Sequence, residues 1–172
     1  ISNGSADIAV GRMIVSSVQQ ANEMVNKVFE YHDLKSYGSW RNNYVCISDD
    51  SDKSSDSTLQ SKQNNLTDVI HQQKPSLNYK ILLDSYQQET SAGGERYPQA
   101  KEDIRNAFEK GALVFNYLGH GGEDGLTGER IWDKFDGLSF FNQYRYPLFI
   151  TITCEFSRFD NPLRPTAGEY TY

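Results

Sequence analysis

His120 and Cys154 are the two residues in this chain whose chemistries fit together. A thiol attacks a carbonyl only as thiolate, and it needs a base or a positive neighbour to lose its proton. An imidazole titrates near neutrality, so it can take that proton and later give it to a leaving amine. His120 stands in Gly119-His120-Gly121-Gly122, where small residues leave backbone N–H groups unshielded. The amides of Gly121 and Cys154 are natural donors for an oxyanion. The plainer reading is a buried structural cysteine and a loop histidine with no chemistry between them. Cys46, inside the apolar run 44–47, fits that plainer reading and is not expected to pair with Cys154. His32 and His71 fall late on helical patterns and read as surface or packing residues.

Two apolar runs must position the pair. Residues 112–118 lead into His120, and residues 147–153 lead into Cys154. Both are short, rich in β-branched or aromatic residues, and stopped by turn signals, which reads as two buried strands of a parallel sheet. Helix-like segments between them allow a right-handed crossover. His120 and Cys154 then share the carboxyl rim of the sheet, where open α/β folds place their sites.

The rest of the chain supplies the framework. Residues 8–10 and 13–15 read as a short strand or strand pair. Ser16 or Ser17 caps a helix whose stripe Val18, Ala21, Met24, Val25, Val28 and Phe29 is expected to face the sheet. Residues 44–47 are a strand running into the acidic loop Ser48-Asp49-Asp50-Ser51-Asp52. That loop reads as solvated, with calcium as the alternative, although the EF-hand order is missing. Residues 59–73 form a helix with Leu59, Leu66, Val69 and Ile70 inward, stopped by Pro75, and residues 79–83 form the next strand. The loop 84–97 is a candidate groove wall. Pro98 opens a helix that buries Ile104, Ala107 and Phe108 and ends at Gly111. Trp132 is assigned to packing, Asp136 to capping a helix over 137–143, and Thr166 to a capping box. A metal at His120 with Glu123 or Asp124 is set aside, because one His beside two acids does not make a zinc spacing.

With 172 residues and 37% hydrophobic content, the chain is expected to fold as one globular domain. A net charge of −6 with no basic stripe argues against nucleic acid. Two cysteines are too few for a disulfide framework. No run is long enough to span a membrane.

The runs 113–122 (Leu-Val-Phe-Asn-Tyr-Leu-Gly-His-Gly-Gly) and 151–162 (Thr-Ile-Thr-Cys-Glu-Phe-Ser-Arg-Phe-Asp-Asn-Pro) resemble the His and Cys motifs of the gingipain family of cysteine peptidases. They resemble most the PorU-type sortases of type IX secretion. Residues 7–12, 40–43, 48–50, 96–98 and 167–170 agree with that family in the same order. The resemblance implies a three-layer, caspase/gingipain-like α/β fold with a mostly parallel central sheet between helices. It implies a partial catalytic domain over residues 1–172, with further strands beyond both ends. It also implies His120 and Cys154 as the catalytic pair, with no cofactor beyond a structural calcium. The partners it implies are secreted proteins with a C-terminal sorting domain, an anionic lipopolysaccharide acceptor and other type IX secretion components. The place it implies is the bacterial outer membrane, at the cell surface. A plain hydrolytic protease, a non-catalytic scaffold of the secretion machinery and a phosphate- or nucleotide-binding α/β domain are the competing functions.

Overall fold

The computed structural model describes residues 8–74, 76–161 and 163–172. Along them run α1 (Val18–His32), β1 (Asn43–Ser48), α2 (Leu59–Gln73), β2 (Leu77–Leu82), the hairpin strands β3 (Glu89–Ser91) and β4 (Gly94–Arg96), and α3 (Pro98–Lys110). Then come β5 (Val114–Leu118), three two-residue strands β6 (Gly121–Gly122), β7 (Gly125–Leu126) and β8 (Trp132–Asp133), α4 (Lys134–Ser139), β9 (Leu148–Ile152) and α5 (Ala167–Thr171). The central sheet has the order β2-β1-β5-β9, and every pairing in it is parallel. This is the α/β architecture expected, with helices on both faces of the sheet.

The alternation of side chains along a strand decides which helix meets which residue. Val45, Ile47, Phe115 and Tyr117 point one way, into a core shared with Ala100, Ile104 and Phe108 of α3. Cys46 and Asn116 point the other way, toward α2. The α3 layer is extended by rings: Trp132 is fully buried and meets Phe108, Phe140 and Phe149 within 5.2 Å between centroids. Its role is packing. Gly111 ends α3 at φ +94, a conformation that favours glycine.

Several local expectations are corrected. Residues 8–15 form no strand. Ile8 and Val10 are exposed to solvent and bury no apolar face that would hold a strand in place. Asp7, part of the same expectation, and Pro75, the expected stop of α2, fall outside the described residues. α1 starts where Ser17 caps it, but its apolar stripe does not pack on the sheet. Val18, Val25, Val28 and Phe29 are exposed, while Ala21, Met24 and Lys27 are half-buried. In α2 the boundaries are as expected and the inward face is not. Leu66 and Val69 are exposed, and Gln63 and Thr67 are buried instead. The polar pair satisfies polar groups that the sheet presents on that side. Gln63 Nε2 donates to the carbonyls of Ile47 and Asn116, and Asn116 Nδ2 donates back to Gln63 Oε1. α4 begins three residues earlier than expected. Asp133 is its cap, and Asp136 is the reciprocal member of the capping box.

Candidate active site

β5 and β9 deliver the two predicted residues to one place. Leu118 and Ile152 are opposite each other in the parallel ladder, and His120 and Cys154 each follow two residues later. The Gly119 amide donates to the Ile152 carbonyl at 3.3 Å, which carries the contact past the strand ends. A Cβ at Gly121 would stand 2.5 Å from Thr153 Oγ1, so the turn bearing His120 lies directly on the turn bearing Cys154.

The His120 turn is held from both sides. Its amide donates to Asp49 Oδ2 at 2.7 Å, and its carbonyl accepts from the Tyr117 hydroxyl and from the Thr127 amide. Gly119 has no room for a side chain, because a Cβ there would meet Asp49 Cβ at 2.4 Å. The bond from the Thr127 amide to the His120 carbonyl makes Gly121 and Leu126 a non-hydrogen-bonded pair of the β6–β7 hairpin. The Gly121 amide therefore points away from β7 and is available to a ligand.

The His120 side chain is half exposed, and its Nε2 lies 3.3 Å from Asp56 Oδ2. Asp56 is itself buried, at the end of the helical turn Ser54–Asp56. It accepts from the Ser55 hydroxyl at 2.9 Å and the Lys53 amide at 3.1 Å. The Ser55 hydroxyl first, and then His120, hold its carboxyl below the usual carboxylate range. Asp56 is thus an anion across the pH range in which an imidazole titrates. The sequence alone assigned Asp56 no role. The available signal was its place in a turn three residues before the α2 start, facing the same rim as the His.

Cys154 is free and exposed. The chain reverses just after it, with Glu155 at φ +52 and the Arg158 amide closing onto the Glu155 carbonyl. Phe156 is buried and anchors this turn, and its carbonyl accepts from the Gly168 amide at the start of α5. An open groove lined by Thr151, Thr153, Glu155, Arg158 and Phe159 lies along the turn that follows Cys154, which is not itself in its lining. Glu123, one turn beyond His120, ties the two halves together. Its carboxylate takes Arg158 at 3.1 Å and Arg164 at 3.0 Å, and its carbonyl takes the Ala167 amide. Glu123 pairs with Arg158 and Arg164, and Asp124 with Lys134 and Arg164.

Cys46 is the opposite case. It is fully buried in β1, within 2.9 Å of Thr67 Oγ1, and burial pushes its thiol up. Behind His120 lies a second group of acids. Asp49, Asp50 and Glu129 are all buried, and burial pushes Asp49 up to about 7. Tyr97 donates to Asp50 Oδ2 at 2.7 Å.

The sequence pattern of peptidase family C25 matches residues 2–172. The fold is also that of solved peptidases. One is the Arg-specific cysteine proteinase gingipain R (RgpB), with a TM-score of 0.72 and 17% identity over 93% of this chain and 34% of that one. Another is the complex of the RgpB pro- and mature domains from Porphyromonas gingivalis, with a TM-score of 0.73 and 17% identity over 95% of this chain and 36% of that one. A third, described as a protease, gives a TM-score of 0.68 and 20% identity over 92% and 32%. The chain spans about a third of the length of these structures. The search among curated proteins gave no match.

Proposed function

The chain belongs to peptidase family C25, and from that membership we propose a cysteine-peptidase mechanism in which Cys154 is the nucleophile and His120 its proton carrier. One observation carries this reading: both residues stand two positions beyond a matched pair of strand ends, with the thiol open to solvent. His120 takes the thiol proton, and Asp56 at 3.3 Å stabilises the imidazolium that results. The sulfur attacks the substrate carbonyl carbon, and the amides of Gly121 and Cys154 receive the oxyanion. The C–N bond then breaks, the amine leaves with the proton from His120, and the acyl group remains on Cys154 as a thioester. A second nucleophile attacks the thioester, gives its proton to His120 and releases the thiolate.

The narrower reading makes that second nucleophile an amine. The protein would then be a sortase that removes the C-terminal sorting domain from type IX secretion cargo and joins the cargo to an anionic lipopolysaccharide at the cell surface. The support is the resemblance of residues 151–162 to the Cys motif of the family, close to that subgroup. Water as acceptor gives a hydrolytic peptidase. No helix among the described residues is long and apolar enough to cross a membrane.

The test is labelling with a peptidyl acyloxymethyl ketone, followed by peptide mass mapping. Cys154 should be modified, Cys46 should not, and His120→Ala should slow the reaction. Equal labelling of both thiols, or none, would favour the scaffold reading. A product carrying an added amine in place of a free carboxylate separates the sortase from the hydrolase.

A further inference from the structure

Four cations meet at the amino rim of the sheet, the end opposite His120 and Cys154. Trp40 stands at their centre. Arg145, just before β9, lies against it: a Cβ at Gly111 would stand 3.0 Å from Arg145 Cβ and 3.1 Å from Trp40 Cβ. Lys110 precedes Gly111 and donates to the Tyr79 hydroxyl at 3.1 Å. The Arg41 guanidinium lies over the Tyr31, Tyr37 and Trp40 rings, 4.3, 4.3 and 5.1 Å from their centroids. Lys35 Nζ lies 5.3 Å from the centroid of the ring of Tyr144, the neighbour of Arg145. No ion pair among the described residues includes any of the four. The acids of the same region are engaged elsewhere. Asp33 accepts the Lys35 amide, Glu30 accepts from Gln143 and the Tyr146 hydroxyl, and Glu109 pairs with Arg105. Arg145 is the sharpest case. Its Nε is buried and has no hydrogen-bond partner, although buried polar groups normally have one. Apolar side chains stand exposed beside these charges: Leu34 is 88% exposed and Tyr37 60%.

We propose that the amino rim docks a short acidic segment of a partner protein, with Arg145, Lys35 and Lys110 as the anion contacts and Leu34 and Tyr37 as the apolar ones. A carboxylate seated edge-on against Arg145 would satisfy Nε together with an outer nitrogen, the paired geometry that guanidinium favours. The aromatic faces already hold Arg41 and Lys35 in place, so ordering them on binding costs less side-chain freedom. Charge selects the length. The chain carries −6 overall, which repels a long polyanion, while the local cations attract a short one. The apolar neighbours select a protein, because aromatic residues and arginine mark protein interfaces and an exposed leucine finds no match on a sulfated or phosphorylated polymer. β5 is 5 residues long and separates this rim from the other by about 17 Å. A segment docked here leaves the Cys154 groove open, and the surface does not depend on the peptidase reading.

The experiment uses the purified protein and a fluorescein-labelled peptide of alternating glutamate and leucine, read by fluorescence anisotropy. A saturable rise is expected, and molar sodium chloride should abolish it. Arg145→Gln should weaken binding about 10-fold, and Lys35→Gln and Lys110→Gln about 3-fold each. Leu34→Ser should weaken it about 3-fold through lost apolar contact. Lys62→Gln, an exposed change in the first turn of α2, should leave it unchanged. Circular dichroism checks that Arg145→Gln folds, and if it does not, the double variant Lys35→Gln with Lys110→Gln decides. Cys154→Ala should bind like the wild type, which separates this surface from the catalytic rim. Dextran sulfate is the second probe. If it binds with the same dependence on Arg145, and Leu34→Ser leaves peptide binding unchanged, the rim takes a polysaccharide and the protein assignment falls. No saturable rise in the wild type, or a rise undiminished in the folded Arg145, Lys35 and Lys110 variants, overturns the proposal.

Discussion

Cys46 and Cys154 lie in or just beyond strands of one sheet, separated by β5, and the fold treats them in opposite ways. Cys46 sits in mid-strand, fully buried beside Thr67, where burial disfavours the thiolate. Cys154 sits two residues past its strand, exposed, where the chain has left the ladder and reverses through Glu155. A sheet interior hides a thiol and a sheet rim presents one. The difference is one of position along the strand, not of residue type. The same rule separates the two sides of His120. Its imidazole faces solvent and Asp56, while its backbone is bonded to buried Asp49.

The largest effects should come from exchanging the two thiols' fates. Cys154→Ala should cut turnover by about 10³-fold or more, as removing a nucleophile does. It should leave the melting temperature unchanged, because the side chain is exposed. Cys46→Ala should do the reverse, leaving kcat/KM within about twofold and costing about 1–2 kcal/mol. Measured together, the pair of variants breaks the comparison if Cys46→Ala lowers activity while the protein remains folded.

Gln63→Leu probes the surroundings of the hidden thiol. It removes the donor to the Ile47 and Asn116 carbonyls and leaves the Asn116 amide without its acceptor. A cost of about 2–3 kcal/mol is expected from the unpaired groups, read by denaturant unfolding. A neutral result would mean that leucine packing offsets the lost network.

Asp56→Asn sharpens the exposed side. It removes the carboxylate that stands 3.3 Å from His120 Nε2. A loss of about 10-fold in kcat/KM is expected, because the imidazole loses the partner that orients it. The stability sign is separate. The Asp56 pKa is below its ordinary value, so its contribution is present above the unfolded carboxyl pKa and is lost as pH falls through the folded one. The acid-side loss of stability should therefore be smaller in Asp56→Asn. An unchanged kcat/KM would leave Asp56 with no part in positioning His120.

What the sequence made legible follows the same division between strand and rim. The parallel strands were readable because β1, β5 and β9 are short apolar runs with clear stops, and register then placed His120 and Cys154 together. The capping of α1, α3 and α5 was readable from Ser17, Pro98, Gly111 and Thr166, since caps are local chemistry. The inward faces of α1 and α2 were not. Apolar periodicity names the face that would prefer burial, and it cannot see that Gln63 on α2 meets the carbonyls of Ile47 and Asn116 and the side-chain amide of Asn116. Asp56 and Glu129 escaped for a related reason. Each meets its partners through contacts 64 and 79 or 80 residues away in sequence, to His120 and to Asp50 and Asp49, and no local spacing encodes those.

The smallest expected effect tests how the hidden thiol is kept quiet. Thr67 Oγ1 lies 2.8 Å from the Gln63 carbonyl and 2.9 Å from Cys46 Sγ. Its single proton serves one of them at a time, and it turns to sulfur when the thiolate forms. Thr67→Val keeps the shape and removes that donor. The thiolate loses its stabilising bond, so the Cys46 pKa should rise further, and stability should fall by about 1 kcal/mol. The rate of Cys46 alkylation against pH, followed in a Cys154→Ala background, checks this. Slower alkylation with a profile moved to higher pH supports control by ionisation. Faster alkylation would mean that opening of the α2–β1 contact, and not the charge state of the sulfur, sets the reactivity of Cys46.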